Sequence, residues 1–250
     1  MDIDKENIKI IKPFGPTILE TICPEELFNE LNSYTEEVVN DDVLSSYFSS
    51  KGKNIPNLLL RDFENIYLPK EYCDDIGFTE YVENLSKIYL DAVSEPNPNI
   101  IPELAIIPGG DPSFSLSKDI LYADVWINRY FSGDFTPLHN HGGELSGVIF
   151  LKLSDELNEE QCKDRYSSGD FNYIQQNESL YHDHELPRRN NGNVNFVFGS
   201  SNKFSSGYYL PIQEERKVIL FPSWLEHFVY PQRTNKERRS MSFNVRLFNQ

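Results

Sequence analysis

The chain has 250 residues, and its 39 acidic side chains against 23 basic ones give a net charge of −16 at pH 7. This charge disfavours long nucleic acid and membrane surfaces as partners, because both are bound through basic protein surface. The longest apolar runs hold four residues, against the roughly 20 that a membrane-spanning helix needs. The first residues carry no secretory signal pattern, so we expect a cytoplasmic protein, in the host cytoplasm if the source is viral.

The first 115 residues predict helices joined by proline-rich connectors. Pro24 introduces a helix whose apolar residues recur at helical spacing, namely Leu27, Leu31, Tyr34 and Val38. A second helix is predicted from about Thr79, with an apolar face of Val82, Leu85, Tyr89 and Ala92. We therefore predict residues 1–115 as an N-terminal helical and connector region packing on the rest of the chain. It could serve as a scaffold or as a substrate-recruiting surface.

From about residue 119 the pattern changes to short apolar or alternating runs separated by turn residues. These predicted strands are Tyr122–Phe131, Leu145–Leu153, Val194–Phe198, Val218–Phe221 and Ser240–Leu247. Their spacing is typical of a β-sandwich or barrel, so residues 116–250 are predicted as the β core. A polar insertion at about 154–193 interrupts it, and could be either a lid or a surface hairpin.

Three of the five histidines form a candidate metal site. His139 and His141 precede a predicted strand at a spacing that puts both imidazoles on one face of a strand. His227 follows residues 217–226, a predicted strand that leads into a turn. From this position it could complete the metal chelate from a neighbouring strand. The alternative is that His139 and His141 are surface residues at a glycine-rich turn and that His227 is an ordinary half-buried histidine.

Polar residues on two of the predicted strands could bind a ligand in the same cavity. Strand alternation places Arg238 and Ser240 on the face opposite the apolar Met241. A guanidinium inside a barrel needs a carboxylate partner, which a dicarboxylate cosubstrate could supply, although a surface position or a protein acid would also serve. Asn128 and Tyr130 share one face of the strand before His139 and could reach that ligand, or could simply pack within the sheet.

The order of these segments resembles a family of 2-oxoglutarate- and Fe(II)-dependent oxygenases found in phages and bacteria. The resemblance covers roughly residues 120–247. It is carried by four segments in order: Trp126-x-Asn128; His139-Asn140-His141 with Leu145-Ser146-Gly147-Val148; Phe221-Pro222-Ser223-Trp224-Leu225-x-His227; and Arg238-x-Ser240-x-Ser242-Phe243-Asn244.

The resemblance implies an α+β, mainly β protein built on a double-stranded β-helix, or jelly roll, with the N-terminal helical layer beside it. It implies a hydroxylase-like dioxygenase that uses Fe(II), 2-oxoglutarate and O2. Such an enzyme would act on a peptide side chain or a small molecule and would release succinate and CO2. His139 and His227 then match iron ligands. Arg238 matches the residue that holds the distal carboxylate of 2-oxoglutarate, with Ser240 beside it.

The chain departs from the family pattern where an HxD motif would carry its aspartate, because His141 stands there. Three interpretations follow: His141 is itself a ligand, Glu144 supplies a carboxylate through a bulge at the preceding glycines, or water fills the position. We favour His141, since two residues along a strand return to the same face.

Two other classes of protein fit parts of the pattern. A cupin-like metal enzyme or binding module would use similar histidine spacings without 2-oxoglutarate, and Arg238 with Ser240 argues against it. A non-catalytic jelly-roll protein would explain the missing aspartate. Metal content and 2-oxoglutarate turnover separate these alternatives from the oxygenase.

Overall fold

The computed structural model describes residues 8–11, 15–48, 66–94, 120–153, 192–199, 207–232 and 234–247. The predicted boundary between residues 115 and 116, and nearly all of the predicted insertion at 154–193, lie outside these residues. The helices are α1 (Glu25–Asn40), α2 (Asp42–Phe48), α3 (Lys70–Asp75) and α4 (Phe78–Ser94). The strands are β1 (Lys9–Ile11), β2 (Ile18–Ile22), β3 (Ile66–Tyr67), β4 (Ile120–Tyr130), β5 (Thr136–His139), β6 (Leu145–Lys152), β7 (Val194–Val197), β8 (Tyr208–Tyr209), β9 (Lys217–Pro222), β10 (His227–Val229) and β11 (Arg238–Leu247).

The strands form two antiparallel sheets. The larger has seven strands in the order β1-β2-β9-β6-β11-β4-β3, and the smaller has four in the order β5-β10-β7-β8. An apolar cluster joins them, with Phe150 and Phe221 from the large sheet and Phe196 and Val229 from the small one. Two antiparallel sheets that share one core with long crossovers between them are the arrangement of a jelly roll. The predicted fold class, mainly β with a double-stranded β-helix and N-terminal helices, is confirmed.

Strand alternation sends β11 side chains to two different environments. Met241, Phe243 and Val245 pack into a second apolar cluster that the large sheet shares with the helices. Arg238 and Ser240 lie on the opposite face, toward the core between the sheets. The predicted division of this strand into an apolar and a polar face is therefore confirmed.

Both predicted helices form, because each has an apolar stripe that the large sheet covers. In α1 the buried residues include Leu27, Leu31 and Val38, and Glu25 lies in the first turn, where the helix dipole favours an acid. In α4 the buried side chains include Leu85. Among the described residues, no helix is both long and apolar enough to cross a bilayer.

The N-terminal region is more than a layer of helices, which is all that the sequence pattern predicted for it. Strand β2 pairs with β9, β1 extends the sheet beyond β2, and β3 pairs with β4 at the other edge. These strands have two to five residues, too few for an alternating pattern to distinguish them from connectors. The helical region is thus tied to the β core by main-chain hydrogen bonds as well as by packing.

Candidate functional site

Pairing of two short strands brings two of the three candidate histidines together. Strand β5 ends at His139 and strand β10 begins at His227, and these two residues are direct partners in the antiparallel register. Side chains of directly opposed residues leave the sheet on the same face. The two imidazole ring centroids are accordingly 4.2 Å apart.

His141 reaches the same point from outside the strand, which corrects the expectation that both residues of the His-x-His pair share one strand face. Its backbone N–H donates to the carbonyl of Ser223, 2.9 Å away, in the turn after β9. The chain therefore leaves β5 at His139 and is fixed instead against the segment that leads to His227. The His141 ring lies 5.0 Å from each of the other two rings, centroid to centroid.

The three imidazoles could hold one metal ion. One ring nitrogen from each lies within 4.8 Å of the others. Nδ1 of His139 lies 2.8 Å from the carbonyl oxygen of Pro137, and Nδ1 of His227 lies 2.9 Å from that of Leu225. A carbonyl only accepts hydrogen bonds, so each Nδ1 carries the proton and each Nε2 keeps its lone pair for a metal.

The spacing of the nitrogens fits a shared metal ion. Nε2 of His141 lies 3.2 Å from Nε2 of His227. Two nitrogens bound to one metal at ~2.1 Å are about 3.0 Å apart at a right angle and about 3.4 Å apart at the tetrahedral angle, so the observed separation lies within the range that coordination requires.

Burial keeps these imidazoles in the neutral form that binds metals. Burial, with a smaller effect of the neighbouring His139, lowers the pKa of His141 to about 4. Burial also lowers the pKa of His139. His227 is only 5% exposed, and burial lowers its pKa well below the usual value. All three are therefore uncharged at neutral pH, and metal binding has no proton to displace from an imidazolium.

Glu144, the alternative carboxylate ligand, lies in the turn before β6 and is exposed. Its backbone N–H donates to the carbonyl of Val245 at 3.1 Å, and Gly143 before it adopts a φ of 94°. A Cβ at Gly143 would come within 2.8 Å of that same carbonyl oxygen, so the turn requires glycine there. Among the described residues, the group able to hold a metal consists of the three histidines, and Glu144 is not part of it.

Arg238 lies at the start of β11, inside the core between the sheets, and is only 1% exposed. Its guanidinium carbon lies 4.9 Å from the centroid of the Tyr130 ring and 5.4 Å from that of Phe150. Its Nε donates to Oε1 of Gln213 at 3.1 Å, whereas its Nη1 has no hydrogen-bond partner among the described residues. Burial lowers the pKa of this arginine to about 10, so it remains charged at neutral pH.

This environment fits a dicarboxylate cosubstrate. No carboxylate among the described residues forms a salt bridge with Arg238, although the next residue, Arg239, pairs with Glu36 and Glu237. A buried arginine with an unused donor nitrogen is costly unless a ligand supplies the missing acceptor. The surroundings of Arg238 are thus compatible with the prediction that its guanidinium pairs with the carboxylate of a ligand.

The other predicted cofactor-binding residues are close to Arg238 along the paired strands β4 and β11. Tyr130 is the register partner of Arg238, and its hydroxyl lies 2.5 Å from Oγ1 of Thr136. Ser240 is buried opposite Asn128. The Asn128 amide is partly used within the protein, since its Nδ2 donates to Oγ of Ser242 at 2.8 Å.

The two groups of candidate residues border one apolar cluster. Phe221 and Phe196 contact the His227 ring, at centroid distances of 5.0 and 5.6 Å, and belong to the cluster that contains the Phe150 ring under Arg238. The structure thus brings the three histidines together at one end of this cluster and Arg238 beside it. An apolar surround of this kind excludes water from bound polar groups.

Three residues near these groups were missed by the sequence reasoning as site residues. Gln213 and Gly192 contact Arg238 from segments whose sequence carries no site pattern. Trp126, which the sequence analysis names only as part of the family resemblance, is buried, lies 5.5 Å from the His141 ring, centroid to centroid, and donates from Nε1 to Oδ1 of Asn128. Its place on the same strand face as Asn128 was the available signal.

Comparison with known proteins identifies a family whose model matches the region that carries these residues. Residues 124–244, just under half of the chain, match the model of the family described as "Putative 2OG-Fe(II) oxygenase". This match includes the three histidines, Arg238, Ser240, Asn128 and Tyr130, together with Glu144. No curated protein sequence matches the chain.

Several solved structures are similar to the chain at low sequence identity. A Pseudomonas putida prolyl-4-hydroxylase is 11% identical over 92% of both chains, with a TM-score of 0.47. A viral collagen prolyl hydroxylase from Paramecium bursaria Chlorella virus 1, in complex with 2-oxoglutarate, is 12% identical over 99% of both chains, with a TM-score of 0.43. An oxidoreductase of the 2OG-Fe(II) oxygenase family from Burkholderia pseudomallei is 18% identical, with a TM-score of 0.33. That alignment covers 52% of this chain and 47% of the Burkholderia chain.

The family match bears on the part of the chain that carries the histidines and Arg238. It confirms the enzyme class and the cofactors that the sequence predicted. Residues 124–244 match the family of 2OG-Fe(II) oxygenases, a class of enzyme that uses Fe(II), 2-oxoglutarate and O2.

Proposed function

We propose that the protein is a hydroxylase that uses O2 to oxidise a peptide side chain or a small molecule together with 2-oxoglutarate, so that one oxygen atom enters the hydroxylated product and the other enters succinate, with release of CO2. The observation that carries this proposal is the pairing of a three-histidine group with a buried arginine that has no carboxylate partner among the described residues, both beside one apolar cluster. The histidines suit a metal ion, and the arginine suits the far end of a dicarboxylate. Together they match what a 2-oxo acid bound at a metal requires.

In this proposal His139, His141 and His227 are the metal ligands. The carbonyls of Pro137 and Leu225 hold two of the rings with Nε2 available, so the ligand set is arranged before the metal arrives. Three protein ligands leave further positions for a 2-oxo acid and oxygen. Bound Fe(II) would supply the oxidative chemistry, in which 2-oxoglutarate is decarboxylated as the substrate is hydroxylated.

Arg238 binds the distal carboxylate of 2-oxoglutarate through Nη1, which has no hydrogen-bond partner in the described part of the chain. The rings of Tyr130 and Phe150 fix the guanidinium, and the apolar surroundings strengthen a charge-assisted hydrogen bond. Ser240 and Asn128 form the polar wall of the strands beside it. Selectivity for a five-carbon dicarboxylate would follow from the fixed position of this arginine.

A cupin-like metal enzyme without 2-oxoglutarate is the second candidate, because the described ligand group contains three histidines and no carboxylate. The burial of Arg238 without a carboxylate partner among the described residues favours the oxygenase, because the distal carboxylate of 2-oxoglutarate would supply that partner. A direct test is to incubate the Fe(II)-loaded protein with 2-oxoglutarate, O2 and panels of peptides and small molecules, and to measure succinate by NMR. The proposal expects substrate-stimulated succinate that is lost in His227→Ala, whereas substrate oxidation without succinate would support the cupin-like enzyme.

A further inference from the structure

Arg238 and Arg239 are adjacent buried arginines with opposite electrostatic surroundings. Arg239 is fully buried and pairs with two carboxylates, Glu36 at 2.8 Å and Glu237 at 2.7 Å. Arg238 is equally buried, yet its polar contact is with the neutral amide of Gln213. Within the described parts of the chain, Arg239 therefore has carboxylate partners, whereas Arg238 has a neutral amide.

The amide of Gln213 is fixed in orientation. Gln213 is fully buried, and its Nε2 donates to the carbonyl of Gly192 at 3.2 Å while its Oε1 accepts from Nε of Arg238 at 3.1 Å. Turning the amide over would place its NH2 against the Nε–H donor and its oxygen against a carbonyl. Both hydrogen bonds would be lost, so the arrangement holds one orientation.

The backbone at Gly192 completes this support. Its φ is 60°, and a Cβ there would come within 3.1 Å of Cδ of Arg238 and 2.3 Å of Oε1 of Gln232. Glycine therefore lets the chain pass close to the arginine stem and present its carbonyl to Gln213. The guanidinium is held at Nε by an amide and on its faces by aromatic rings, while Nη1 stays free of protein acceptors among the described residues.

We propose that Gln213 is a positioning residue that orients Arg238 without neutralising it, so that the charge remains available for the distal carboxylate of 2-oxoglutarate. This inference rests on the proposed function. A glutamate at the same position would reach the same nitrogen but would form an internal ion pair that competes with the cosubstrate. The neutrality of Gln213, and not only its shape, is the feature that matters.

The test compares 2-oxoglutarate with pyruvate, a 2-oxo acid that has no distal carboxylate. Both are titrated by calorimetry into the anaerobic Fe(II)-loaded parent protein, Gln213→Glu and Gln213→Met. Gln213→Glu is expected to weaken 2-oxoglutarate binding at least 10-fold and to leave pyruvate binding within about twofold. Gln213→Met, which loses the hydrogen bonds but adds no charge, is expected to weaken 2-oxoglutarate binding less than Gln213→Glu does, also sparing pyruvate.

Each other outcome is decisive. Unchanged 2-oxoglutarate affinity in Gln213→Glu would overturn the proposal. Equal weakening of both 2-oxo acids, or equal weakening by the two variants, would show that Gln213 only maintains local structure, and would also overturn it. If the parent protein itself binds 2-oxoglutarate no more tightly than pyruvate, the proposed function of Arg238 fails instead, and that result is seen without any variant of Gln213.

Discussion

Replacing Arg238 with methionine should separate cosubstrate binding from folding. Burial lowers the pKa of this arginine from 12.5 to about 10, so at about 1.4 kcal/mol per pKa unit the buried charge costs about 3 kcal/mol. Methionine removes that cost, but it also removes a hydrogen bond of a charged group, about 1.5–3 kcal/mol, and cation–π contacts of about 0.5–2 kcal/mol. These contributions nearly cancel, so the Tm of the ligand-free protein should change by less than about 3 °C.

The effect of the same substitution on 2-oxoglutarate binding should be large. Removing the charged partner of a buried carboxylate costs about 2–5 kcal/mol, which is about 30-fold or more in Kd. In the parent protein, 2-oxoglutarate at 100 times its Kd should stabilise by about 2.7 kcal/mol and raise Tm by about 5–10 °C. In Arg238→Met the same concentration should raise Tm by less than about 3 °C. The assay is anaerobic thermal unfolding of the Fe(II)-loaded proteins with and without 2-oxoglutarate.

Arg239→Met is the matched control, because Arg239 is the adjacent buried arginine but is paired with protein carboxylates. Loss of Arg239 leaves the mostly buried Glu237 with fewer partners, so we expect the free energy of unfolding to fall by about 1–3 kcal/mol. This is less than the cost of breaking an isolated buried ion pair, because Glu237 also contacts Arg129 and Lys152. The rise in Tm on adding 2-oxoglutarate should be retained. A retained 2-oxoglutarate response in Arg238→Met, or its loss in Arg239→Met, would show that Arg238 is not the residue that binds the distal carboxylate.

Three further predictions concern the metal, pH and packing. His227→Ala should weaken Fe(II) binding at least 100-fold by equilibrium dialysis and Glu144→Gln should leave it within twofold; the reverse pattern would make Glu144 the ligand. Burial alone would raise the pKa of Glu237, but hydrogen bonds from two arginines outweigh it and lower the pKa. The ionised carboxylate therefore contributes fully to folding stability above about pH 5, and this contribution is lost as the pH falls through the lowered pKa. Glu237→Gln should therefore be less stable than the parent in urea at pH 7 by about 1–2 kcal/mol, and the difference should shrink below about pH 4; a gap independent of pH would contradict this. Gly147→Ala should destabilise by about 1–3 kcal/mol, because its Cβ would lie 2.1 Å from the Phe243 ring in the core, and a neutral effect on the urea midpoint would argue against this packing.

The sequence predicts the long elements well, for physical reasons that the structure makes visible. Strand β11 alternates Met241, Phe243 and Val245 toward the helices with polar residues toward the inner core, and ten residues are enough to show that period. Helix α4 is predicted equally well, since it carries an apolar stripe over several turns. Strands β5 and β10, with four and three residues, were not predicted, because so few residues show no period.

The candidate site is predicted in its residue types more than in its geometry. The spacing of His139 and His141 indicated a chelate, but on one strand face, whereas a backbone hydrogen bond to Ser223 holds His141 beyond the strand end. That contact joins segments about 80 residues apart and leaves no local signature. Gln213 was missed for the same reason, since its importance comes only from its tertiary contact with Arg238.

The proposed function requires that the three histidines and Arg238 together bind Fe(II) and 2-oxoglutarate. The most direct measurement is an anaerobic titration of Fe(II) into the purified protein with and without 2-oxoglutarate, monitored for the weak visible charge-transfer band of an iron-bound 2-oxo acid, near about 500 nm. We expect a band that appears only with both components, is absent in His227→Ala, and needs much more 2-oxoglutarate in Arg238→Met. Iron binding with no band at any 2-oxoglutarate concentration would instead support a cupin-like centre, and absence of iron binding would indicate a jelly roll without this chemistry.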